Sequence, residues 1–197
     1  MRTLDPATPL PRVQVIVAPG HRGADGVGFG WVSRGGGRSV MFTIDPEAPA
    51  EAFRRDWQAT HEFIHFLQPV FVDDDAWLGE GLATYYQEVL RARTGAISPA
   101  RCWANLVRGL RAGVAAGDRA TLHEESAAMH RSGRYVRVYW WGMAVALTLD
   151  VALRQREGRS LDEAVRALHA AAAREPARAW RAEEALRAMD EALGVTR

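Results

Sequence analysis

The chain has 197 residues, 48% hydrophobic and 25% charged, the composition of an ordinary globular protein with enough length for one domain and a real core. A formal net charge of +1, with all 25 basic residues arginine, leaves no electrostatic footprint for nucleic acid or acidic lipid. One cysteine, Cys102, excludes an intrachain disulfide and a cysteine-built metal cage, and reads as a small buried helix residue.

The first twenty residues hold four prolines and no long apolar stretch, so they do not read as a secretory signal; a cytoplasmic location is the default expectation. "RVQVIVAP" alternates and is β-branched, which predicts a strand over 12–18. "GFGWVS" and "RSVMFTI" predict two more strands, joined by a glycine-rich turn at Arg34–Arg38. A phosphate-cradling loop is the rival, but its glycines must lead into a helix, and these lead into a strand.

From Glu51 onward the signals are helical. "PAEAFRRDWQATHEFIHFLQ" predicts a helix that stops near Pro69. "PVFVDDD" reads as a connector in which Asp74 or Asp75 N-caps the following helix, "AWLGEGLATYYQEVLRART", closed by Gly95. Ser98 and Pro99 open a third helix. A loop containing "TLHEESAAMH" precedes an apolar helix over 138–156. The apolar run 138–153 is broken by Asp150, is too short to span a bilayer, and reads as buried. "SLDE" at 160–163 predicts a capping box opening another helix, and "AWRAEEALRAMDEALG" a last amphipathic one. The expected fold class is α+β: a single domain over 1–197, β-rich over 1–48 and mostly helical over 49–197.

Chemistry concentrates in "ATHEFIHFLQP". On a helix, His61 and His65 project from one face a turn apart and can share a tetrahedral Zn²⁺, with Glu62 placed to reach a water on the metal. A third ligand is expected from Glu80, which follows His65 after a connection of fourteen residues and returns on the next helix of an antiparallel pair. Two His, one carboxylate and an open position make a catalytic site, not a structural one. Thr84, one turn beyond Glu80, is placed to orient a ligand. Asp73, Asp74, Asp75, His123 and His130 are the rivals for the third position.

"HEFIH" followed by "WLGEGLATYYQ" resembles the gluzincin metallopeptidases, most closely the glycyl aminopeptidase-like branch. "GFGWVSRGGGRSVMFTIDPEAP", "TLHEESAAMH" and "YWWGMAVALTLDVALR" support the likeness. The resemblance implies a helical zincin body with zinc on His61, His65 and Glu80, Glu62 as general base, and Tyr139 (in Tyr-x-x-Gly) donating a hydrogen bond to the tetrahedral intermediate. Alternatives for that donor are His123, His130 and Tyr135. The chain departs from the family in its shorter connector and in Trp141, where a Lys is usual. The expected function is hydrolysis of peptide bonds, as a metallopeptidase that acts as an aminopeptidase or otherwise. The expected partner is a peptide or protein substrate, docked by β-augmentation on a hairpin strand, with no nucleic acid and no membrane. Two rivals stand beside it: a zinc-binding pseudoenzyme or scaffold, and a helical interaction module without metal.

Overall fold

The structure, a computed structural model, describes residues 12–20, 26–34, 37–117 and 120–194. The chain is α+β, with a small N-terminal sheet followed by a helical body. Residues 1–11 and the turn glycines Gly35 and Gly36, on which two of the sequence expectations fall, lie outside the described residues. The fold separates into two compact units: Met1–Phe66 with Tyr86–Cys102, and Leu67–Tyr85 with Trp103–Arg197.

In the first unit three strands, β1 (Val13–Pro19), β2 (Val27–Ser33) and β3 (Arg38–Ile44), form one sheet in the order β1-β3-β2. β2 and β3 pair antiparallel, as the glycine-rich hairpin predicted, while β1 runs parallel to β3. Alternation decides the faces: Val40 and Phe42 point one way and are buried with Phe66, against Val32, Ile44 and Phe63. Removing each phenylalanine side chain from water contributes about 1.5–3 kcal/mol. The expected helix ending near Pro69 is instead two, α1 (Ala50–Arg55) and α2 (Gln58–Ile64), followed by a 3-10 turn over His65–Leu67. Asp56 breaks it. Its backbone is extended (ψ 146), and its Oδ1 accepts the Gln58 N–H at 2.7 Å, so that it caps α2.

α3 (Ala76–Arg93) and α4 (Pro99–Ala115) each run unbroken through a unit boundary. α3 closes at Gly95 in the left-handed region (φ +78), and Ser98 Oγ accepts the Arg101 N–H at 3.2 Å at the start of α4, both as expected.

The second unit adds α5 (Leu122–Ser132), α6 (Tyr135–Ala152), α7 (Leu161–Ala172) and α8 (Ala182–Leu193). It also pairs two short parallel strands, β4 (Val70–Phe71) inside the expected connector and β5 (Ala179–Trp180) just before α8. The segment read as a loop, "TLHEESAAMH", is α5. Thr121 and Glu124 form a full capping box at its start.

Several caps are tertiary where local ones were expected. Asp75 does not cap its own helix; its Oδ2 accepts the Ala182 N–H of α8 at 3.1 Å. The first turn of α3 is served instead by Ser126 Oγ, which accepts from Trp77 N at 3.1 Å. Ser160 holds the N-cap position of α7 but makes no cap hydrogen bond; its hydroxyl donates to Glu163, and Asp150 Oδ1 accepts the Leu161 N–H at 2.8 Å.

The reading of α6 as a buried helix holds for one face of it. The buried residues Val138, Gly142, Met143, Ala146 and Asp150 form one face, whereas Trp141 and Val151 are exposed. With its π-helical extension Leu153–Glu157, the Tyr135–Glu157 helix is long and apolar enough to cross a membrane by length and composition. Asp150 sits within it, accepting from Tyr85 Oη at 2.7 Å and Arg154 Nε at 2.9 Å. Burial alone raises its carboxyl pKa, but the hydrogen bonds from Arg154, Leu161 and Tyr85 outweigh burial and hold it below the usual range. A depressed folded-state pKa contributes stability that is present above the unfolded carboxylate value and is lost as pH falls through the folded value. Asp150→Asn is therefore expected to cost about 1–3 kcal/mol at neutral pH and to shrink the acid-side fall in stability, read from urea unfolding at pH 7 and below pH 4. An unchanged acid limb rules out this assignment.

Candidate metal centre

His61 lies buried in the last turn of α2 and His65 begins the 3-10 turn, so the i, i+4 relation survives the change of helix type. Their rings meet edge to face with centroids 5.0 Å apart. Trp57 closes on His61 from the preceding turn at 5.6 Å. Arg34, at the end of β2, donates from Nη1 to the His65 carbonyl at 2.9 Å and ties the hairpin to the second histidine.

Glu80 arrives on α3. One ligand atom from each of His61, His65 and Glu80 lies within 4.8 Å of the other two. Ligands at about 2.0–2.2 Å from a tetrahedral zinc are about 3.4 Å apart, so small side-chain adjustments close this group on an ion. The donor set, two imidazoles and one carboxylate, suits zinc with a position left open.

The convergence has a local cause. Seven residues along α3, and so on the same helical face as Glu80, Gln87 presents Oε1 to His61 Nδ1 at 2.8 Å. α3 therefore carries both the carboxylate and the partner of the first histidine. Gln87 was not weighed from sequence; its i+7 spacing from Glu80 was the available signal.

The glycines explain two of the quoted motifs. A Cβ on Gly30 would stand 2.7 Å from Glu62 Cγ and 2.9 Å from its Oε1, so the β2 backbone runs directly beside the Glu62 carboxylate. β2 is an edge of its sheet, and this places the outer strand of the hairpin at Glu62. Gly30→Ala is expected to displace that flexible carboxylate at little cost to stability. The unfolding midpoint should stay near the parent's; a large fall would mean that the Glu62 side chain cannot give way. In the second unit, a Cβ on Gly81 would lie 2.3 Å from Gly142 C, and one on Gly142 2.2 Å from Trp77 O. The Gly of Glu-Gly and the Gly of Tyr-x-x-Gly are thus the two sides of one backbone contact between α3 and α6.

Tyr139 lies three residues before Gly142, its ring edge to face with Tyr135 at 6.1 Å, and Tyr135 in turn meets His130 at 5.9 Å. The other rivals are engaged elsewhere: His123 Nδ1 stands 3.3 Å from Asp75 Oδ1, and its Nε2 3.8 Å from Asp74. Asp73 accepts from Ser126 Oγ at 2.8 Å through its backbone carbonyl, and its carboxylate is not in the group formed by His61, His65 and Glu80. Thr84 Oγ1 is buried with no hydrogen-bond partner among the described residues, so the ligand-orienting bond expected of it is not formed.

Compared with family models, curated proteins and solved structures, the chain gives no match.

Proposed function

We propose that this chain is a zinc metallopeptidase of gluzincin type, with zinc held by His61, His65 and Glu80. The observation that carries the reading is the approach of those three ligand atoms to within 4.8 Å of one another. Zinc bound there would supply Lewis acidity, acidifying a water and polarising a peptide carbonyl. Glu62, adjacent to a ligand histidine but not itself a ligand, would hold the proton of the attacking water and return it to the leaving amine. Tyr139, on the helix that packs at Gly81, donates its hydroxyl hydrogen bond to the developing oxyanion. The outer edge of β2, unpaired with any strand among the described residues, offers main-chain groups to an extended peptide next to Glu62, the geometry of β-augmentation.

The test is cleavage of a mixed-peptide library by the purified protein with and without a chelator, alongside its zinc content. The expected result is cleavage that chelation abolishes and zinc restores. Bound zinc with no cleavage of any peptide would favour a pseudoenzyme or scaffold, and absence of zinc affinity would favour a metal-free interaction module.

A further inference from the structure

A chain of buried polar groups runs away from the proposed centre, and the peptidase mechanism uses none of it. His61, Gln87, Glu88 and Arg91 are all buried, at 2%, 4%, 3% and 8% exposure. Gln87 Nε2 donates to Glu88 Oε1 at 3.4 Å, and Arg91 Nη1 donates to the same oxygen at 3.3 Å. Arg91 is held from the other side by its Nη2, which donates to the Arg55 carbonyl at 2.5 Å. Placing an ion pair and an amide in the interior carries a large desolvation cost, which is recovered only where each partner is fixed. A hydrophobic trio would fill the same space more cheaply.

We propose that Gln87, oriented by the Glu88–Arg91 pair, is a positioning residue that locks His61 in its Nδ1–H tautomer and so presents Nε2 to the metal. The argument is one of sign. Glu88 Oε1 accepts from Arg91 Nη1 on one side, and a carboxylate oxygen in that role only accepts, so the amide face turned toward it must be the NH₂. The Gln87 carbonyl oxygen then has to face His61, where it stands 2.8 Å from Nδ1. An amide oxygen only accepts, so Nδ1 must carry the proton. In a neutral imidazole the lone pair is then on Nε2. Turning the amide over would set its oxygen against the Glu88 carboxylate and its NH₂ against His61, and would select the wrong nitrogen. At 3.4 Å the Gln87–Glu88 contact is long, so its effect lies in excluding that flip more than in binding strength.

This inference rests on the proposed zinc site, but it concerns a property of the metal-free protein. The test is two-bond ¹H–¹⁵N correlation of the His61 ring in metal-free parent, Gln87→Met and Glu88→Gln proteins at a pH where the ring is neutral. Zinc affinity of each is measured in parallel by chelator competition. The expected result is the Nδ1–H tautomer in the parent and a shift toward Nε2–H or a mixture in both variants. Zinc affinity should fall about 10–100-fold in Gln87→Met, the size typical for loss of a partner to a ligand histidine, and less in Glu88→Gln. Gln87→Glu, which keeps an acceptor facing Nδ1, should restore the tautomer and most of the affinity. Nε2–H in the parent, or an unshifted tautomer in a folded Gln87→Met, overturns the proposal. If Gln87→Met does not fold, the parent spectrum and Glu88→Gln decide. A parent that shows Nδ1–H but binds no zinc would overturn the metal centre and leave the lock standing.

Discussion

Glu62→Gln is expected to lower peptide hydrolysis by about 10²–10⁴-fold while zinc stays bound. Glutamine fills the space beside Gly30 almost identically and Glu62 is not a ligand, so neither packing nor metal content should change. The amide cannot accept the proton of the attacking water, and that step loses its base. Tyr139→Phe should cost less, on the order of the 10²–10³-fold of one lost oxyanion donor, because the Lewis acidity that a bound metal would supply does not depend on that hydroxyl. The order of the two effects discriminates better than either size. Steady-state kcat/KM for one cleaved peptide, with zinc content measured on the same samples, checks both. Near-normal turnover by Glu62→Gln contradicts the mechanism even with zinc in place.

The second large effect is structural. Gly142→Ala and Gly81→Ala each place a methyl group 2.2–2.6 Å from backbone atoms of the facing helix, and no rotamer relieves such a contact. Overpacking typically costs about 1–3 kcal/mol and more against backbone, whereas alanine recovers at most about 1 kcal/mol of helix propensity. The net expected loss is about 2 kcal/mol or more, read as a lower urea midpoint at unchanged m-value. Since Gly81 adjoins Glu80 and Gly142 lies one turn from Tyr139, zinc affinity and turnover should fall as well. A variant as stable as the parent would mean that α3 and α6 do not meet at these glycines.

What could be read from the sequence was what depends on near neighbours. The hairpin declared itself through alternation and glycines, the start of α4 through Ser98–Pro99, and the histidine pair through a spacing that any helix turns into proximity. Glu80 needed one further step, the return of a helix after a short connector. The misses were longer-ranged. Asp150 caps α7 from 11 residues away, Ser126 serves α3 across 49, and Asp75 serves α8 across 107, and no local pattern encodes such partners. Ser160 shows the same limit from the other side: the local capping pattern is present, but a better-placed carboxylate took the amide. α5 is different, since Thr121 and Glu124 spell its capping box within the stretch read as a loop. The break at Asp56 followed from an aspartate placed to cap α2, inside a stretch whose hydrophobic period read as continuous.

X-ray absorption at the zinc edge of the zinc-loaded protein, with parent and Glu80→Ala compared, tests the central claim most directly. The expected spectrum is one zinc per chain with two imidazole nitrogens and a carboxylate oxygen at about 2.0–2.2 Å, no sulfur, and loss of ordered binding in Glu80→Ala. A sulfur ligand from Cys102, no stoichiometric zinc, or an unchanged spectrum in Glu80→Ala would contradict the His61–His65–Glu80 centre.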